Sequence, residues 1–180
     1  IVYAVMDHSD TNEVWQLLQG SGTALASITG GLESQIVSLE STIIFQNGED
    51  FSGQGPSFLN TLIGQIIPLA EEHLGFTPAL RSIAGYSLAG LFALWAVYQT
   101  TFFDGAASIS GSLWFDGFLD YMKANTPTTK RVYLSLGDRE KVSRNPRLAM
   151  VEDCTRQMAE LILSQNIPVT FELGNIQNFV

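Results

Sequence analysis

At 180 residues with 46% hydrophobic side chains, the chain can bury one substantial core, which excludes disorder although only 15% of residues are charged. The formal charge is -9, and the only basic grouping is Lys130-Arg131 with the scattered Arg139, Lys141, Arg144 and Arg147. Nucleic acid and anionic membrane surfaces are therefore poor partners, because affinity for either begins with phosphate neutralisation. A single cysteine, Cys154, forbids an intrachain disulfide, and two histidines without HxxxH or CxxC spacing give no support to a metal site.

The chain opens on "IVYAVM" (1–6), a nearly continuous apolar run that predicts a strand buried on both faces of a parallel sheet. The polar "DHSDTNE" is a loop at that strand's carboxyl end. "TALASITG" (23–30) reads as a second strand, while "SQIVSLESTIIFQ" (34–46) is ambiguous. "NGEDFSGQGPSF" is a long turn-forming loop. Over 57–73 the residues Leu59, Leu62, Ile63, Ile66, Ile67 and Ala70 recur at helical spacing, and Pro68 should kink or split the helix they predict.

"RSIAGY" is the next strand and "SLAGLFALWAVYQ" the helix leaving it. "GAASIS" (105–110) predicts a short buried strand, followed by the loop "GSLW" and a short helix in "FDGFLDYMKAN". In "KRVYLSLG" (130–137) Val132, Leu134 and Leu136 alternate with polar or aromatic positions, a clear strand. A polar loop, "DREKVSRNP", leads to one helix over "NPRLAMVEDCTRQMAELIL". Cys154 lies in it and reads as a small helix residue rather than a reactive thiol. "IPVTFELG" (167–174) is the last strand.

This alternation predicts an α/β fold: one domain over residues 1–180, with a mostly parallel central sheet covered by helices on both faces. Such sheets place sites at the carboxyl ends of their strands. No apolar run of about 18 residues suggests a membrane span, and no signal-peptide pattern opens the chain. Without an initiator methionine, the chain reads as a portion of something longer, with truncated ends and further loop segments. A cytoplasmic location is the expectation.

"GYSLA" (85–89) sets a lone hydroxyl between a strand and a helix. Small residues at Gly85 and Ala89 would let the backbone turn sharply, and Gly90 adds room against a neighbouring strand. Ser87 then reads as a nucleophile, with the Leu88 amide aimed at a developing oxyanion. The plainer reading makes Ser87 a helix N-cap. A nucleophilic serine needs a base and an orienting acid. Asp138 and Glu140, just past the "YLSLG" strand, are candidates for the acid, although either could be a solvated loop charge. No histidine follows Ser87. His73 precedes it near a helix end, and His8 lies in the loop after the first strand.

Taken together, "NGEDFSGQGPSF", "IAGYSLAGLFALWAVY", "FFDGAASISGSLWFD" and "VYLSLGDREK" resemble the α/β-hydrolase esterases of the esterase-D-like and ferric-enterobactin esterase type, over roughly residues 47–174. The resemblance implies Ser87 as nucleophile, Leu88 as one oxyanion donor, and a second donor around Asp7 and His8. It implies Glu140 as the acid, with Asp138 as fallback. Tyr86 and Trp114 would contact substrate, and Trp114 is equally readable as core. Two departures stand out. The family's base lies directly after the last strand, where this chain reads "FELGNIQNFV" without an imidazole. The arginine and aspartate expected near a proline between Gly30 and Thr42 are also absent.

The expectation is therefore a serine carboxylesterase acting on a small acyl ester, without cofactor or metal, whose base histidine lies in further residues between Gly174 and the terminal "NIQNFV", or within that segment. A siderophore trilactone esterase and a catalytically inactive binding protein on the same fold are the alternatives. A ferric catecholate is strongly anionic, which the net charge disfavours. The aromatic stretch "LWFDGFLDYM" is a candidate contact for a homo-oligomer.

Overall fold

A computed structural model describes residues 1–5, 16, 19–28 and 54–174. His8, Asp7, the ambiguous 34–46 segment, most of the glycine-containing loop and residues 175–180 lie outside the described residues. Two compact units, 1–81 and 82–180, are recognised.

In the first unit, β1 (Val2–Val5) runs parallel to β2 (Leu25–Ile28), with Val2 opposite Leu25 and Val5 opposite Ile28. The predicted helix over 57–73 is present but changes register. It comprises α1 (Gly55–Thr61), a π-helical turn (Leu62–Ile66) and α2 (Ile67–Leu74). Pro68 stands in the first turn of α2, where its missing N–H is tolerated. The widened turn before it, closed by Ile67 N–H donating to Leu62 O, absorbs the ring that a regular helix interior would reject. Phe58, Leu59, Leu62 and Ile67 form the buried side, and Gly75, at φ 70°, closes α2 in a left-handed cap.

A polar network occupies the same unit. The Tyr3 hydroxyl donates to Glu71 Oε1 at 2.5 Å, and Arg81 grips both Glu71 oxygens at 2.7 and 2.8 Å. The Arg81 hydrogen bond holds the Glu71 carboxyl below its ordinary value of 4.5.

The second unit holds four parallel strands in the order β3 (Ser82–Tyr86), β4 (Gly105–Ile109), β5 (Arg131–Gly137), β6 (Val169–Gly174). Ser82 pairs with Gly105, Gly105 with Arg131, and Gly137 with Gly174, so the carboxyl ends of all four lie along one rim. Parallel neighbours require crossovers. These carry α3 (Leu88–Gln99) after β3, α4 (Phe118–Ala124) after β4, and α5 (Pro146–Ala149) with α6 (Val151–Ser164) after β5.

The sequence of α3 is apolar on every side, and its residues from Gly90 to Val97 are all buried. The helix α6 is the opposite case: Val151, Thr155, Met158, Ala159 and Ile162 are buried, and its other residues are half-buried or exposed. In β5, Val132, Leu134 and Leu136 are buried, as their alternation predicts.

The single helix expected over the Cys154 segment is instead two helices. Asn145 caps the short α5 by accepting from Arg147 N–H at 3.0 Å, and Met150, at φ -82° and ψ -3°, turns the chain into α6. Cys154 is half-buried, and burial pushes its thiol up, so it is not a ready thiolate. Among the described residues, no helix is long and apolar enough to cross a membrane, and no His, Cys, Asp and Glu grouping could hold a metal ion.

Candidate active site

Strand β3 ends at Tyr86, and α3 begins at Leu88, so Ser87 alone makes the turn between them. Its backbone sits at φ 54° and ψ -121°, a conformation that costs a non-glycine residue about 1–3 kcal/mol and persists only when the surroundings impose it. Four hydrogen bonds do so. Ser87 N–H donates to Ile109 O at 3.0 Å, and Ser87 O accepts from Gly90, Leu91 and Ser112 N–H at 3.0, 3.2 and 3.0 Å.

The turn is tight enough to dictate its neighbours. A Cβ on Gly85 would land on the Ala89 carbonyl, and one on Gly90 would meet Ser108 Oγ at 2.9 Å and Gly111 Cα at 3.0 Å. The Ser87 side chain makes no helix-capping hydrogen bond. The N-cap reading therefore fails, because a capping hydroxyl must accept from an amide of the first turn. Leu88 N–H, at the positive end of α3, has no backbone acceptor among the described residues.

The carboxyl end of β4 adjoins this turn. Ser110 takes φ 44°, unusual for a residue with a side chain, while its N–H donates to Ser135 O at 2.8 Å. Ser108 and Ser110 bury their hydroxyls without a partner among the described residues. Ser112, also buried, sets its Oγ 3.4 Å from Ser87 Oγ.

The acid candidates lie at the end of β5, two strands along the rim from β3. Asp138 is exposed and donates its N–H to Gly174 O at 2.9 Å, beside the end of β6. Glu140 is half-buried. Its Oε1 accepts from Gly137 N–H at 2.9 Å, and its own N–H returns to Gly137 O at 3.2 Å. Glu140 is thus the more fixed carboxylate of the pair.

The loop that carries both acids is tethered farther on. Lys141 pairs with Glu152 at 2.9 Å, and Arg156 pairs with the same carboxylate at 2.8 Å while lying 5.3 Å over the Phe171 ring. Those two cations hold the Glu152 carboxyl low. Arg147 reaches Asp116 at 3.0 Å, joining this segment to the loop after β4.

Tyr86 is 57% exposed immediately before Ser87, and Trp114 is half-buried two residues past Ser112. The structure thus brings Ser87, Leu88 and Tyr86 onto one turn, with Ser112 against it, and sets Asp138 and Glu140 on the same rim. In the aromatic segment proposed as an oligomer contact, Leu113, Phe115, Phe118 and Met122 are buried. His73 is exposed in the last turn of α2. Sequence reasoning missed the contact between Ser112 and Ser87. The alternating serines of "SISGS" were the available signal.

A family model described as "Putative esterase" matches residues 44–170. A Bacillus subtilis (strain 168) protein, "Uncharacterized protein YbbA", is 35% identical over 96 residues, which span 51% of this chain and 38% of that relative. The chain therefore covers well under half the length of that relative.

Among solved structures, the siderophore hydrolase EstA from Aspergillus nidulans is similar at 17% identity and a TM-score of 0.64, over 96% of this chain and 74% of that one. MPT51 of Mycobacterium tuberculosis is similar at 15% identity and 0.63, over 97% and 79%. An S-formylglutathione hydrolase from Agrobacterium tumefaciens is similar at 11% identity and 0.59, over 97% and 75%. At these identities the likeness is one of fold, the mostly parallel α/β-hydrolase fold.

Proposed function

Because the chain belongs to the esterase family, we propose that it is the core of a serine carboxylesterase whose nucleophile is Ser87. The observation that carries this reading is the strained turn. A serine at φ 54° between a parallel strand and a helix, doing no capping work, has a conformational cost that packing alone does not explain.

In this mechanism Ser87 Oγ attacks the ester carbonyl and a histidine takes its proton. The alcohol leaves with that proton, and water then releases the acid from the acyl-enzyme. Leu88 N–H, reinforced by the amino end of α3, stabilises the tetrahedral oxyanion, an effect worth about 2.7–4 kcal/mol for one donor. Glu140 orients the imidazolium. Its half-burial and its bond from Gly137 N–H favour it over the exposed Asp138. A carboxylate of ordinary pKa, about 4, is too weak a base near neutrality to replace the imidazole.

No histidine follows Ser87, so the proposed base belongs to the whole protein beyond these residues, or is His8. Small acyl esters, acetyl or feruloyl, suit a chain of net charge -9 better than a ferric catecholate. Tyr86 and Trp114 would line the acyl side.

The test is hydrolysis of p-nitrophenyl acetate, methyl ferulate and a catecholate trilactone by the natural full-length protein and its Ser87→Ala variant. Loss of hydrolysis to background on Ser87→Ala supports the reading, and an undiminished rate refutes it. The second reading, a catalytically silent binding protein, is favoured by the absence of an imidazole after Ser87. It expects no Ser87-dependent hydrolysis of any ester.

A further inference from the structure

We propose that Ser112 is a positioning residue for Ser87: its buried hydroxyl fixes the rotamer from which Ser87 Oγ reacts. This rests on Ser87 being the nucleophile, as proposed above. Ser112 touches Ser87 twice. Its N–H donates to Ser87 O at 3.0 Å, and its Oγ lies 3.4 Å from Ser87 Oγ. The residue is only 4% exposed, so its hydroxyl cannot turn to bulk water instead.

The loop that carries it has little freedom to follow a moving partner. Ser110, held at φ 44°, is tied by its N–H to Ser135 O. Gly111 is packed so closely that a Cβ there would collide with Ser108 Oγ. Leu113 and Phe115, which follow it, are buried, and Phe115 N–H donates to Ser112 O at 3.1 Å. If Ser87 rotated away, Ser112 would be left as a buried hydroxyl without a partner, which is costlier than a lost exposed contact.

Either hydroxyl could donate in this contact, and we take Ser112 as the donor, which leaves the proton of Ser87 free for the base. At 3.4 Å the contact is long for an O–H···O hydrogen bond. It shortens and strengthens as Ser87 Oγ gains negative charge on attack and again on departure from the acyl-enzyme. Ser112 itself transfers no proton and keeps its bond throughout.

The experiment uses the full-length protein with Ser112→Ala, Ser112→Thr and Ser87→Ala variants. It reads the rate constant for fluorophosphonate inactivation, kcat and KM for p-nitrophenyl acetate, and the melting temperature. Ser112→Ala is expected to slow inactivation and lower kcat by about five- to tenfold, the worth of one neutral hydrogen bond, with KM within about twofold. Ser112→Thr, which keeps the hydroxyl, is expected to recover most of that loss.

If Ser112→Ala changes the melting temperature, rates measured where every variant is folded, with the threonine rescue, decide the matter. A Ser112→Ala protein that reacts at the wild-type rate while Ser87→Ala is inert overturns the positioning role and leaves the nucleophile intact. So does an equal loss in the alanine and threonine variants. A Ser87→Ala protein that still hydrolyses the ester at the wild-type rate overturns the nucleophile reading itself, and Ser112's role with it.

Discussion

Substituting Gly85 by alanine strikes the contact on which the serine turn depends. The added Cβ would fall on the carbonyl carbon and oxygen of Ala89, with Gly90 N at 2.8 Å. All three are backbone atoms of the first turn of α3, so no flexible side chain can yield. Either β3 and α3 separate, or the Ser87 turn relaxes. Overpacking a tight interior costs about 1–3 kcal/mol, and collision with backbone puts Gly85→Ala near the upper end. For a domain of this size each kcal/mol lowers the melting temperature by about 2–4 °C, so a fall of about 6–12 °C is expected.

The catalytic loss should exceed what stability explains, because a displacement of about 1 Å at a reacting atom costs about 100-fold. Thermal unfolding followed by circular dichroism and kcat/KM for p-nitrophenyl acetate read the two effects separately. Ala89→Gly, which removes a methyl but leaves the contacting backbone atoms in place, serves as the control and should retain most of the activity. Wild-type melting and a wild-type rate in Gly85→Ala would refute the close approach and the role derived from it.

Three further outcomes follow from particular contacts. Ser108→Ala should raise stability by about 1 kcal/mol, since it deletes a buried hydroxyl that has no partner among the described residues; chemical denaturation measures it, and a loss of stability would contradict it. Because Glu71 has its carboxyl lowered from 4.5, its bonds to Arg81 and Tyr3 stabilise the fold fully above that pH, and the contribution disappears as the pH falls through the depressed folded value. The melting temperature of wild type should therefore drop more steeply below pH 4.5 than that of Glu71→Gln, and parallel curves would contradict the assignment. Finally, Glu140→Gln should lower kcat far more than Asp138→Asn, by about 100-fold against less than tenfold, and the reverse order would move the acid to Asp138.

The parts of the fold set by local chemistry were legible in the sequence. Alternation at Val132, Leu134 and Leu136 marked β5 as a strand with one buried side. The small residues of "GYSLAG" marked the turn at Ser87, and Pro68 marked the change of helical register just before it. The break at Met150 was not legible, because "RLAMVEDC" contains neither glycine nor proline and Met150, itself exposed, is an ordinary helix former.

Within the site, the sequence leaves Ser87 open between a cap and a nucleophile, and the missing cap bond removes only the capping reading. The choice between Asp138 and Glu140 depends on a side chain folding back to Gly137 N–H, which no spacing rule encodes. For Ser110 and Ser112 the alternation in "SISGS" is a signal, but it does not say which serine reaches Ser87. Their part comes from a left-handed residue and a loop that returns to Ser87 from the next strand.

Identifying the residue that a fluorophosphonate modifies tests the role of Ser87 most directly. The full-length protein, treated with the probe and digested, should yield by mass spectrometry a single adduct, on the peptide that contains Ser87. Ser87→Ala should yield none and should have lost ester hydrolysis. An active protein whose adduct lies on another residue, or whose hydrolysis continues at the wild-type rate without Ser87, would contradict the assignment.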